Sequence, residues 1–241
     1  MKKLIFILLL FNSLASYSQT KYYTTNGKNR LTEAEIKEKV SEREIEIEKT
    51  YGQKLFASLT IDETETKKDS IISKVIFKFT KERQNKLFNY GPLSEFKNKE
   101  FPKFNLNTLT YGKIDLEKLK GKPTLINFWY MKCAPCIEEM PVLNKIKEKY
   151  KNDCNFVAIT YEKKEDVAKF LKKYTFNFKH LIDSKGFIDE LGVKEYPMNL
   201  FLDKNGILRY VKGGIPYESK KGEEPKMSDG TEFIEIIKKL K

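Results

Sequence analysis

The stretch that most limits what this chain can fold into is residues 127–141, NFWYMKCAPCIEEMP. It ends the run PTLINFWY, whose continuous apolar character is that of a strand covered on both faces. It opens APCIEEMPVLNKIKEKY, which has helical texture with Pro141 inside it as a predicted kink. The order strand, C-x-x-C, helix sets Cys133 at the mouth of the helix and Cys136 one turn inside. That spacing brings two Cα atoms within the roughly 4.4–6.8 Å a disulfide can span. Unpaired N–H groups and the positive end of the helix dipole face Cys133 and favour its thiolate, and Lys132 adds a cation beside it. Cys133 is therefore the expected nucleophile, exposed, and Cys136 the more buried resolving thiol.

Cys154 is the one other cysteine, too few for a small secreted scaffold stapled by disulfides. The opening MKKLIFILLLFNSLASYSQT has two lysines, an apolar run and small residues before Gln19. This is the layout of a secretory signal, with cleavage expected between Ser18 and Gln19. The run is shorter than the roughly 20 apolar residues of a transmembrane helix. The expectation is an exported protein, periplasmic or otherwise extracytoplasmic, with no stable membrane insertion after cleavage. An uncleaved N-terminal anchor is the alternative. Beyond residue 18 the chain carries 44 basic and 34 acidic residues, 15 and 12 of them in 19–90 and 29 and 22 in 91–241. Nucleic-acid binding calls for a basic stripe on a recognisable module. An excess spread this evenly is a lysine-rich solvated surface, so no nucleic-acid partner is expected.

Along the chain, residues 19–30 are polar and read as loose. Thr32 and Glu35 have capping-box spacing, and Ile36, Val40 and Ile47 form a sparse stripe, predicting a surface helix that ends near Gly52. Leu55, Ala57, Leu59 and Ile61 alternate, as do Val75, Phe77 and Phe79, with polar TETKKD between them. This predicts a β-hairpin, although Ile71, Ile72, Val75, Ile76 and Phe79 also fit a helix. Residues 81–100 form a connector with a turn at YGP. FPKFNL and GKIDLEKL suggest short strands or turns, NFVAITY a buried strand, KKEDVAKFLKKY a helix, FKHLID a short strand and FIDELGV a short helix ending at Gly192. NLFLDKNGILRYVKGG is a hairpin turned by Asn205-Gly206, and TEFIEIIKKL closes the chain as an amphipathic helix. The plan is α/β, with a central sheet covered on both faces.

NFWYMKCAPCIEEMPVLNKI, with LKGKPTLINFW before it, FVAIT after it and EYPMNLFLDKNG later, resembles the thioredoxin fold. It is more closely similar to the TlpA/ResA branch of exported thiol–disulfide oxidoreductases. The resemblance covers roughly residues 95–241. It implies a thioredoxin-like mixed sheet with helices on both faces over 95–241. The residues before it read as a helix and β-hairpin extension of unknown role over 19–94, preceded by the expected signal at 1–18. In this fold a cis-proline faces the cysteine pair, and Pro197 in EYPMNLF is the matching position, with the Tyr196 backbone beside an extended substrate. Thioredoxins place an acid two residues before the motif tryptophan, where this chain has Asn127. The TlpA/ResA branch lacks that acid and keeps a glutamate three residues after the second cysteine, matched by Glu139. The resemblance thus makes Glu139 the proton acceptor for Cys136, whereas Glu138 points about 100° away around the helix as a surface acid. Trp129, Lys132, Ala134, Pro135 and Tyr196 are the expected substrate-binding rim, Trp129 packing beside the turn. Lys132 stands where the branch often has tryptophan, and YPMN replaces the more usual YPTT type, so the family's partners do not transfer directly. No cofactor is implied. The implied partners are protein disulfide or thiol substrates and a membrane electron donor. Keeping apocytochrome c thiols reduced is among the family's tasks, and nothing in these residues singles out that client.

Other readings compete. Zinc would normally want four ligands, but Cu(I) accepts two thiolates, which leaves a thioredoxin-fold Cu(I)-binding metallochaperone with His180 as a third ligand. A non-catalytic interaction domain is the other alternative. His180 otherwise reads as a strand histidine with a structural role, and Cys154 as a small buried apolar residue. Peroxidatic chemistry expects a P-x-x-x-T-x-x-C pattern, which FWYMKC does not supply. Ala134-Pro135 lacks the histidine that strong oxidases carry between the cysteines, so a reducing direction is expected. Residues 19–94 are a docking module, a lid or a passive addition.

Overall fold

A computed structural model describes residues 19–91, 93–218 and 224–241; the expected signal segment lies outside them. The chain divides into two compact units between Asn89 and Tyr90, five residues before the expected boundary. The difference has a packing reason, because Leu93 is buried in a hydrophobic cluster of the second unit and Phe96 packs against it.

The first unit holds β1 (Thr20–Thr24), α1 (Glu33–Tyr51), β2 (Phe56–Thr66) and β3 (Ser70–Thr80), and β4 (Phe88–Tyr90) runs up to and across the division. The sheet order is β1-β3-β2-β4. Residues 20–24 are therefore not loose: β1 runs parallel to β3, and Tyr23 is buried with its ring stacked on Phe88 at 4.6 Å. Polar composition hid this strand, whose backbone pairing does not depend on an apolar pattern. α1 begins at the predicted capping box. The Glu35 N–H donates to Thr32 Oγ1 at 3.3 Å, and the Thr32 N–H donates to Glu35 Oε2 at 2.7 Å. Gly52 ends the helix in the left-handed region at φ 63°, where the absence of a Cβ removes the steric cost. The hairpin forms as predicted, with Ala57, Leu59 and Val75 facing Ile36 and Val40 in one core. The helical alternative for residues 71–79 does not occur.

The second unit begins with two short strands, β5 (Asn105–Asn107) and β6 (Lys113–Asp115). There follow β7 (Thr124–Phe128), α2 (Ala134–Tyr150), β8 (Asn155–Ile159), α3 (Lys164–Lys173), β9 (Lys179–Leu181), α4 (Lys185–Glu190), β10 (Met198–Leu202) and β11 (Leu208–Lys212). Two-residue strands β12 (Tyr217–Glu218) and β13 (Lys226–Met227), absent from the sequence reading, precede α5 (Thr231–Leu240). The main sheet has the order β11-β10-β7-β8-β9. β7, β8 and β9 are parallel, and β10 and β11 antiparallel. Every residue of β7 is buried, yet the strand still alternates between faces. Leu125 joins a cluster with Met140, Leu143 and Phe233 of α2 and α5. Ile126 and Phe128 join the opposite cluster, with Leu116, Phe187 and Ile188. Helices thus cover both faces, as the fold class requires. α2 continues through Pro141, one turn and more past its start, where the missing N–H removes a single helical bond.

Candidate active site

The parallel strands end where α2 begins, so the loop after β7 delivers both cysteines to one end of the sheet. Cys133 is the N-cap of α2: the backbone N–H of Cys136 donates to its Sγ at 3.2 Å, and the N–H of Ile137 donates to its carbonyl at 3.1 Å. A helix N-terminus leaves such donors without intrahelical partners, and here one is aimed at sulfur. The two cysteines form a disulfide, with S–S 1.96 Å and Cα–Cα 5.2 Å. The expected exposure of Cys133 is corrected: it is 2% exposed and Cys136 is 1% exposed. In the disulfide each sulfur covers the other, and Tyr130, Met131 and Tyr196 pack against the same cluster.

Around the pair, Lys132, Ala134 and Pro135 are exposed and Tyr196 is half-buried. Trp129 is enclosed, its ring packed on Phe170, Phe176 and His180 with centroids 5.0, 5.9 and 5.6 Å away. It supports the turn from within, so the place given to it on the rim is corrected: a ring without accessible surface presents nothing to a partner. The Tyr196–Pro197 bond is cis, at the position the resemblance assigned. Pro197 precedes the Met198–Phe128 register pair and is thereby held beside the segment leading to Cys133.

Glu139, one turn beyond Cys136, has no exposed surface. Its Oε1 accepts from Asn127 Nδ2 at 2.8 Å and from Asn199 Nδ2 at 3.4 Å, and its Oε2 accepts from the Ile215 N–H at 3.0 Å. Burial pushes its pKa up to about 7, opposed by these three donors. A carboxyl poised there can accept and return a proton near neutral pH. Pro197 and Glu139 also meet at Gly214, where a Cβ would lie 2.9 Å from Pro197 Cγ and 3.3 Å from Glu139 Oε2. Asn199, Gly214 and Ile215 were not found in the sequence. They reach Glu139 from 60 or more residues away, and the unusual YPMN was the only signal. Glu138 is exposed and accepts from the Tyr217 hydroxyl.

His180 is buried on β9, where Nε2 lies 2.8 Å from the Phe176 carbonyl oxygen and Nδ1 has no partner. Burial lowers its pKa. Cys154 is buried and free, and burial pushes its thiol up to about 12. Among the described residues no three His, Cys, Asp or Glu side chains gather as a metal site. A cavity of about 500 Å³ lies away from the cysteine turn, bordered by Cys154, Asn155 and several lysines. Of the five lysines that line it, Lys118 pairs with Asp115, Lys151 pairs with Glu148, and Lys147 donates to the Asn177 carbonyl.

A mixed sheet of this order, a cystine at the first turn of a helix and a cis-proline beside it define the thioredoxin-like class. The sequence pattern of the AhpC/TSA family matches residues 98–211. The thioredoxin-like protein YneN of Bacillus subtilis is 37% identical over 117 residues, 47% of this chain and 69% of that protein. The thiol-disulfide oxidoreductase ResA of Bacillus thuringiensis is 35% identical over 119 residues, 48% of this chain and 69% of that protein. The thioredoxin domain of a thiol-disulfide oxidoreductase from Bacteroides vulgatus superposes with a TM-score of 0.48 at 18% identity, covering 60% of this chain and 98% of that one. The chain belongs to the AhpC/TSA thioredoxin-like family, among its thiol–disulfide oxidoreductases of the ResA type.

Proposed function

We propose that this protein is an exported reductase of protein disulfides, with Cys133 as nucleophile, Cys136 as resolving thiol and Glu139 as proton acceptor. The observation that carries the reading is a buried carboxyl, poised near neutrality, one helical turn from a cystine whose first sulfur already accepts a backbone N–H. In the dithiol form, the Cys133 thiolate attacks a client disulfide; a bond forms to one client sulfur, and the other leaves as thiolate. Cys136 then gives its proton to Glu139 and attacks Cys133 Sγ, expelling the second client sulfur. Two electrons pass from the protein to the client, and the protein ends as the Cys133–Cys136 disulfide. Lys132 and the helix N-terminus stabilise the attacking thiolate. Ala134, Pro135 and Tyr196 form the surface along which an extended client segment lies, with the buried cis-Pro197 fixing the Tyr196 backbone beside it.

The reducing direction rests on Ala134-Pro135, which supplies no histidine to hold the thiolate form. The expected potential is near the thioredoxin value of about −270 mV, and one near −120 mV reverses the direction. Outside the cytoplasm such a reductase must be recharged, so a membrane dithiol donor is part of the proposal. Residues 1–18 are proposed as the cleaved signal.

Two measurements test the mechanism. The Cys136→Ser variant should accumulate a mixed disulfide through Cys133, and the trapped chain identifies the client; trapping through Cys154 instead would contradict the assignment. Glu139→Gln should slow closure of the Cys133–Cys136 bond by about 100-fold at pH 7, the low end of general acid–base contributions. An unchanged rate removes Glu139 from the mechanism.

A further inference from the structure

Asn127 on β7 and Asn199 on β10 are directly opposed in the antiparallel register, both buried, with their side chains on the face that carries Glu139. Their hydrogen bonds leave little choice of orientation. Asn127 Nδ2 donates to Glu139 Oε1 at 2.8 Å and to Asn199 Oδ1 at 2.9 Å. With its oxygen occupied, Asn199 directs Nδ2 to the Gly213 carbonyl at 2.8 Å and toward Glu139 Oε1 at 3.4 Å. Turning the Asn199 amide over would oppose NH2 to NH2 across the strands and oxygen to carbonyl at Gly213. A single arrangement therefore ties two strands, the loop after β11 and the α2 carboxyl into one node.

We propose that Asn199, fixed by Asn127, is a positioning residue that presents donors to the ionised form of Glu139 and so sets the pH at which Cys136 is activated. This rests on Glu139 being the proton acceptor. Desolvation favours the acid and the donors from Ile215, Asn199 and Asn127 favour the carboxylate, so these donors decide how much of the burial effect survives. Among the described residues, the titratable groups near Glu139 are Cys136, one turn before it on α2, and Tyr217 in the segment after β11. From β7 and β10 it meets only the two neutral amides and Pro197. Among the described residues no cation contributes to the Glu139 shift, so removing a donor raises the proton affinity without a charge to compensate.

The reduced full chain is mixed with oxidised glutathione between pH 5 and 9, and closure of the Cys133–Cys136 bond is followed by quenching and mass. The acid limb of the wild-type profile should have its midpoint near 7. In Asn199→Leu it should move up by about one pH unit, slowing closure about tenfold at pH 6 while leaving the alkaline plateau intact, as expected for a lost donor to a charged acceptor. Asn199→Thr keeps a hydroxyl donor and should move the limb the same way by less; it serves if the leucine variant does not fold. In a Glu139→Gln background, Asn199→Thr should cause no shift. A midpoint that stays in place, or a plateau that falls while the midpoint holds, overturns the proposal. If Glu139→Gln alone leaves the acid limb intact, the proton-acceptor reading itself is what fails.

Discussion

Gly214 is the residue at which the cis-proline and the buried carboxyl touch. A methyl group there would sit 2.9 Å from Pro197 Cγ, closer than real contacts allow, and would crowd Glu139 Oε2. The neighbouring Ile215 N–H holds that same oxygen, so relief by moving the backbone would loosen the carboxyl. Gly214→Ala is expected to destabilise the second unit by about 1–3 kcal/mol, the usual cost of overpacking. Urea unfolding measures the loss, and closure of the Cys133–Cys136 bond should slow in parallel. Cys154 marks the opposite extreme of reactivity. With its thiol pushed up to about 12, it should resist alkylation by iodoacetamide in the folded chain at pH 8 and react on unfolding. Mass spectrometry of the labelled chain distinguishes these outcomes. Cys133, Cys136 and Glu139 were legible because each lies about one helical turn from the next in a single quoted motif that the family resemblance covers. Asn199 and Gly214 were not, because nothing local connects them to residue 139.

Among the elements, those with a chemical signal at their ends were placed correctly. α1 has a reciprocal capping box at Thr32 and Glu35 and a left-handed Gly52 at its end, and its bounds follow from these. Thr32→Ala should cost about 1 kcal/mol by leaving N-terminal donors unsatisfied, read as a lowered denaturation midpoint of the first unit. Strands escaped where their signals are weak. TKYYT is polar, and β1 exists because β3 has an open edge to pair with. β12 and β13 are two residues each, below any period that a sequence can display. The β7 run could be recognised as buried, but which of its residues faces which core depends on the helices placed over it.

At the scale of the whole molecule, the buried Glu139 couples folding to pH. Its folded pKa of about 7 exceeds its ordinary 4.5, so between those values the folded chain keeps a proton that the unfolded chain has released. Stability should therefore fall as pH rises through that window, by up to about 3 kcal/mol for a shift of this size. His180 acts oppositely: its lowered pKa means stability is lost as pH falls below about 6.5. Comparing unfolding free energies of the wild type and Glu139→Gln from pH 4.5 to 8 isolates the first effect. Equal pH slopes in the two proteins would contradict a buried, shifted carboxyl. Among the described residues no helix is long and apolar enough to cross a membrane. By itself, the sequence determined the class of fold and the cysteine pair, because strand burial and helix entry are local properties; Pro197 and Glu139 were singled out through the family resemblance. Only the tertiary structure decided that both sulfurs are enclosed, that Trp129 lies inside and that the carboxyl is poised near neutrality. Those depend on which distant groups remove water from a site and which donors they leave in its place.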